Sequence, residues 1–122
     1  MITILIIEDE KDIVEYITEF AEEEGHRVVS TDDSKVAISK CKNQRFDLIL
    51  LDLHLTNGSG EDVVEKVRYP TSLNCRTPIV VISGHIEEKV LLKMAKKVNG
   101  AIVKPFGVER ILEVFNKYSA AA

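Results

Sequence analysis

The chain has 122 residues, 45% of them hydrophobic and 30% charged, with a formal net charge of −4 at pH 7. That length buries a core without help from disulfides or a structural metal, and the mixing of Lys with Glu along the chain leaves no basic stripe for a nucleic-acid backbone. The two cysteines, Cys41 and Cys75, match neither a zinc-ligand spacing nor a disulfide framework, the longest apolar runs of about six residues are too short to span a membrane, and no basic segment followed by an apolar core marks a signal peptide. A cytoplasmic protein of one domain, over residues 1–118, is expected, with 119–122 a tail or the start of a linker.

In chain order, "TILIIE" at 3–8 predicts a strand. Residues 11–24 then place Ile13, Ile17 and Phe20 on one stripe with Val14 and Ala21 beside it, while Lys11, Glu15, Glu19, Glu22 and Glu23 face away, as in an amphipathic surface helix. A weaker strand, "RVVST" at 27–31, precedes a short helix at 34–43 that either Asp32 or Asp33 caps. The strand "LILLD" at 48–52 leads through the loop Asn57-Gly58-Ser59-Gly60 to a helix at 61–68 stopped by Pro70. "PIVVIS" at 78–83 predicts the fourth strand, followed by a helix at 86–98 with Leu91, Met94, Ala95 and Val98 on its stripe. "AIVK" at 101–104 and a helix at 108–118, carrying Val108, Ile111, Leu112 and Phe115, complete the pattern. The strands are nearly continuous in their apolarity, as strands covered on both faces must be. Five strands alternating with five helices specify an α/β fold: a doubly wound, five-stranded parallel sheet with right-handed crossovers.

A parallel sheet delivers the C-terminal end of every strand to one edge, so residues far apart in sequence meet there. The first strand ends in Glu8-Asp9, the third in Asp52, the fourth in Ser83 and the fifth in Lys104. A carboxylate at the mouth of an apolar strand costs free energy unless something compensates it. Three of them repel one another, and a hard divalent cation with oxygen ligands, Mg²⁺, removes that cost. An acid nucleophile beside such an ion, with a hydroxyl and an ammonium to hold anionic oxygens, describes an acceptor of a phosphoryl group, with Asp52 as the nucleophile.

The same residues carry a family resemblance. Over essentially its whole length the chain resembles the receiver domain of two-component response regulators, through "ILIIEDE" at 4–10, "DLILLDLHL" at 47–55, "PIVVISG" at 78–84 and "KPF" at 104–106. The resemblance implies a flavodoxin-like (βα)5 fold with strand order 2-1-3-4-5. It implies that Asp9, helped by Glu8, binds Mg²⁺ together with Asp52 and the backbone carbonyl of His54. It further implies that Asp52 takes the phosphoryl group, that Ser83 hydrogen-bonds a phosphoryl oxygen and shifts on activation, that Lys104 pairs with the phosphoryl group, and that the bond before Pro105 is cis. The implied partners are a sensor histidine kinase or histidine phosphotransfer protein upstream, and a target protein or tethered output domain downstream. Such a protein is a stoichiometric switch with autophosphorylation and autodephosphorylation activity rather than a turnover enzyme.

Three features depart from the family pattern. Ala101 stands where most relatives carry the Tyr or Phe that swings inward when the hydroxyl residue moves. Thr56 replaces a common Pro, which is expected to leave the loop after Asp52 less restrained. His54 and His85 occupy the two variable positions that tune how long the phosphoryl group survives. The rival readings fit less well. A phosphorylation-independent, receiver-like interaction module has no chemical need for all of Asp9, Asp52, Ser83 and Lys104. An aspartyl phosphatase wants a second acid where His54 stands, and a flavin phosphate would be repelled by "IEDEKD".

Overall fold

The computed structural model describes residues 1–85 and 88–119, apart from the side chain of Leu91. Strands and helices alternate throughout: β1 (Thr3–Ile7), α1 (Lys11–Glu23), β2 (Arg27–Thr31), α2 (Ser34–Asn43), β3 (Leu48–Asp52), α3 (Gly60–Val67), β4 (Ile79–Ser83), α4 (Glu88–Met94), β5 (Gly100–Val103) and α5 (Val108–Ser119). The five strands form one sheet in the order β2-β1-β3-β4-β5, and every pairing is parallel. The order reverses between β1 and β3, and in open α/β sheets the crevice outside that reversal is where ligands bind.

Side chains on a strand point alternately to its two faces, and the core splits accordingly. Ile4, Ile6, Leu48, Leu50, Val80, Ile82 and Ile102 pack against Ile17 and Ala21 of α1 and Ile111, Val114 and Phe115 of α5. Leu5, Ile7, Ile49, Leu51, Ile79 and Val81 pack against Ala37 and Cys41 of α2, Val63, Val64 and Val67 of α3, and Met94 of α4. All five residues of β3 and of β4 are buried, whereas β2 and β5 at the sheet edges each expose part of theirs. The edge position accounts for the thinner apolar signal of "RVVST". Both cysteines are free, and burial pushes the Cys41 thiol up to about 11. Among the described residues no helix is long and apolar enough to cross a membrane.

Asp33, and not Asp32, caps α2: its Oδ1 accepts from the N–H groups of Lys35 (2.8 Å) and Val36 (3.2 Å). The helix expected at 86–98 is shorter than its apolar stripe. Positions 86 and 87 and the Leu91 side chain lie outside the described residues, and the helix ends at Met94, whose carbonyl accepts from the N–H groups of Lys97 (2.8 Å) and Val98 (3.1 Å). Asn99 then turns the chain into β5 by pairing with Ile79 through both its N–H (2.7 Å) and its side-chain oxygen (3.0 Å). β5 therefore begins at Gly100, and Lys104 falls one residue past its end. Gly60 starts α3 against the backbone below Asp52, where a Cβ would come within 2.9 Å of Leu53 Cα and 3.0 Å of the Asp52 carbonyl oxygen.

Candidate functional site

The parallel sheet brings the five expected side chains to one edge. Glu8 and Asp9 follow β1, Asp52 and Ser83 are the last residues of β3 and β4, and Lys104 directly follows β5 and precedes a cis bond to Pro105. Glu8, Asp9 and Asp52 each place a carboxylate oxygen within 4.8 Å of the other two. Above them opens a cleft of about 510 Å³ whose lining includes Asp9, Glu10, Asp52, His54, His85 and Lys104.

Asp52 is nearly buried and held at both oxygens. Oδ1 accepts the His54 N–H at 2.9 Å, and Oδ2 lies 3.4 Å from Lys104 Nζ. Lys104 also reaches Glu8 Oε1 at 2.7 Å and Glu10 Oε2 at 3.6 Å. One ammonium thus serves three carboxylates, and their combined charge holds its own pKa above the ordinary lysine value, against the effect of burial.

Glu8 lies beneath the cleft, 2% exposed. Its Oε2 accepts from the N–H groups of Asp9 (3.0 Å) and Glu10 (3.3 Å). Its Oε1 is buried and meets the Lys104 ammonium at 2.7 Å. Burial, then the neighbouring Asp52, pushes the Glu8 carboxyl up to about 7, overcoming the opposite pull of Lys104. Asp9 is partly exposed, and its Oδ2 accepts from the Thr56 N–H at 3.0 Å and from the Thr56 hydroxyl. Those bonds, the hydroxyl's first, hold Asp9 below the ordinary carboxylate range.

The loop after Asp52 is therefore more restrained than the sequence suggested. Proline at position 56 would have no N–H to give, whereas threonine spends two donors on Asp9. Sequence reasoning flagged Thr56 only as a departure; a donor-bearing residue four positions after a strand-end acid was the available signal.

The Ser83 hydroxyl is fully buried and tied within its own loop, donating to the His85 carbonyl at 2.9 Å and accepting the His85 N–H at 3.3 Å. The His54 ring reaches that same carbonyl, Nε2 to oxygen 2.9 Å, so Nε2 is the protonated nitrogen. His85 enters the site through its main chain, and its side chain is exposed. Ala101 is half-buried and, like Val90 and Val98, packs against the cluster that includes Met94.

One ammonium thus serves Glu8, Glu10 and Asp52, Asp9 has none among the described residues, and the three clustered acids Glu8, Asp9 and Asp52 offer hard oxygen donors. That set fits a hard divalent cation such as Mg²⁺ and is wrong for a soft transition metal.

Comparison with known proteins agrees with the geometry. Residues 4–116 match the family model described as "Response regulator receiver domain". The chain is 35% identical over 115 residues to the response regulator ArlR of Staphylococcus epidermidis, covering 92% of this chain and 50% of ArlR. It is 31% identical over 110 residues to the sensor histidine kinase AruS of Pseudomonas aeruginosa, covering 88% of this chain and 11% of AruS. The solved structure of the chemotaxis response regulator CheY4 of Vibrio cholerae superposes with a TM-score of 0.86 at 26% identity, over 97% of this chain and 98% of that one. The chain spans about half the length of the ArlR proteins it resembles. With five parallel strands in the order 2-1-3-4-5 and an acid cluster at their C-terminal edge, it belongs to the response regulator receiver domain family.

Proposed function

We propose that this domain is a phosphoacceptor switch of a two-component system. Asp52 takes a phosphoryl group from a histidine kinase or a histidine phosphotransfer protein, and the change alters contacts with a target protein or a tethered output domain. The observation that carries this reading is the placement of Lys104 Nζ 2.7 Å from Glu8 and 3.4 Å from Asp52, inside a cluster of carboxylates. An ammonium held there by anions is poised to receive a further anionic group.

In the transfer an Asp52 carboxylate oxygen attacks phosphorus, the P–N bond to the donor imidazole breaks, and an acyl phosphate forms as the imidazole leaves. The His54 N–H and Lys104 fix the Asp52 carboxylate at the pocket floor, so its rotamer is settled before the donor arrives. Lys104 turns to the new phosphoryl oxygens, and Ser83 exchanges the His85 carbonyl for one of them. Glu8, Asp9, Asp52 and the His54 carbonyl would hold Mg²⁺, which when bound offsets the carboxylate charge and polarises the phosphoryl oxygens. Hydrolysis by water returns the carboxylate and releases inorganic phosphate, which resets the domain as a stoichiometric switch.

The test is covalent labelling by acetyl phosphate, followed by intact mass and phosphate-affinity electrophoresis. Wild type labels once and only with Mg²⁺, and Asp52→Asn does not label. Equal labelling of Asp52→Asn, or labelling that persists in excess chelator, refutes the assignment.

A further inference from the structure

Asp9 is held differently from the other two acids of the cluster. Glu8 and Asp52 both contact Lys104, whereas among the described residues no ammonium or guanidinium pairs with Asp9. Thr56 takes that place with two donors, its N–H at 3.0 Å and its hydroxyl, both on the single oxygen Oδ2.

The loop that carries Thr56 is itself anchored on its far side. The Asn57 carbonyl accepts the Ser34 N–H at 3.1 Å, and Asn57 forms a parallel bridge with Asp33, the capping residue of α2. Gly58 follows with φ +98°, so close to α2 that a Cβ there would lie 1.7 Å from Ser34 Oγ. Thr56 is thus a fixed support. A carboxylate held at one oxygen by a fixed support keeps its other oxygen in one direction, and such orientation of a ligand is what metal affinity depends on.

We propose that Thr56 is a positioning residue of the cation site: by holding Asp9 Oδ2 it fixes the orientation of the Asp9 carboxylate within the cluster with Glu8 and Asp52, and so sets the affinity for a divalent cation. The proposal rests on the reading of the acid cluster as a Mg²⁺ site. It also gives the departure from proline a purpose, since threonine supplies two donors where proline supplies none.

Calorimetric titration of the metal-free protein with MgCl₂ tests it without any phosphorylation. Thr56→Val keeps the branched shape and the N–H but loses the hydroxyl, and is expected to bind Mg²⁺ about tenfold more weakly, at the low end of what losing an orienting partner costs. Thr56→Ser restores the hydroxyl and is expected to bind within about twofold of wild type. The metal-free melting temperature of Thr56→Val should fall slightly, because the lost bond also favours the folded carboxylate, with all three proteins folded during the titration. A merely structural role would lower that temperature without weakening Mg²⁺ binding. Wild-type binding with equal affinity in Thr56→Val, or a Thr56→Ser variant as weak as Thr56→Val, overturns the role of Thr56 and leaves the cation site standing. Absence of Mg²⁺ binding by wild type overturns the cation site and the role of Thr56 with it.

Discussion

The two ends of the sheet treat buried polar groups in opposite ways. At the N-terminal end of β4, Asn74 is fully buried and makes four hydrogen bonds: it accepts from the Phe46 N–H (2.8 Å) and the Thr77 hydroxyl (2.9 Å), and donates to the carbonyls of Cys41 (2.8 Å) and Gln44 (2.9 Å). Arg68 beside it spends its guanidinium on the carbonyls of Cys75, Thr77 and Lys97 and on the Asn99 side chain. Both donors of the Asn74 side-chain amide are used. At the C-terminal end Glu8 is almost as buried, yet its Oε1 has only the Lys104 ammonium, which Glu10 and Asp52 share. A satisfied polar network stabilises the fold, whereas an unbalanced one keeps its electrostatic energy until a ligand arrives.

The comparison breaks most readily at Asn74. Asn74→Ala strands the buried Cys41 carbonyl and Phe46 N–H and frees the Gln44 carbonyl, while the Thr77 hydroxyl keeps the Phe46 carbonyl at 3.1 Å. It should destabilise the domain by about 2–4 kcal/mol in urea denaturation. The folded fraction should still label at Asp52. A loss under about 1 kcal/mol would mean that water takes over those bonds and that the two ends are alike.

At the other end a deletion of charge should do the reverse. Glu8→Gln is expected to stabilise the metal-free protein at pH 8 by on the order of 1–3 kcal/mol, with little difference at pH 4. A carboxyl whose pKa rises from 4.5 to about 7 on folding binds its proton more tightly in the folded state. Its contribution is therefore complete below about 4.5 and is lost as pH rises through about 7. The gap between variant and wild type should open across that window and narrow when Mg²⁺ is added. A gap independent of pH would show that Glu8 does not titrate there.

Much of this asymmetry was legible in the sequence, and the rest was hidden for a physical reason. Apolar runs located the five strands and helical stripes three of the helices, because each is a local periodicity that the sheet then uses on both faces, while cap and loop residues located the helices at 34–43 and 61–68. The acids, the hydroxyl and the lysine at strand ends were legible because parallel strands share an edge. What depended on pairing between distant residues was not. Asn99 ends α4 early by bonding to Ile79 in a different strand, Thr56 holds Asp9 from 47 residues away, and Asn74 looks like any polar loop residue until the chain folds around it. Hydrogen bonds at such separation leave no period in the sequence.

A smaller effect sharpens the view of the N-terminal end. The Nδ1 of His26 accepts the Ile2 N–H at 3.2 Å, the ring stacks edge-on with Phe115 at 5.6 Å, and burial lowers its pKa. A histidine with a depressed folded pKa contributes fully above its unfolded value of about 6.5, and that contribution is lost as pH falls below it. The loss should be about 1 kcal/mol, the worth of one such bond, and His26→Phe should flatten the dependence between pH 5 and pH 7.5. An unchanged slope in the variant would assign the acid sensitivity elsewhere.

The smallest expected effect concerns the loop over the pocket, where the two histidines act by different means. The His54 ring and the Ser83 hydroxyl converge on one acceptor, the His85 carbonyl, each at 2.9 Å. If Ser83 leaves that carbonyl for a phosphoryl oxygen, the His54 ring becomes its remaining side-chain donor and keeps the loop closed over the acyl phosphate. His54→Ala should then shorten the half-life of the phosphorylated protein about two- to fivefold, the equivalent of one bond worth about 0.5–1 kcal/mol, with little change in unfolding free energy. His85→Ala retains the carbonyl and should change the half-life by less than about half of that effect. Decay followed by phosphate-affinity electrophoresis at one pH separates the two variants. Faster decay in His85→Ala than in His54→Ala would place the control in the exposed His85 ring rather than in the clasp.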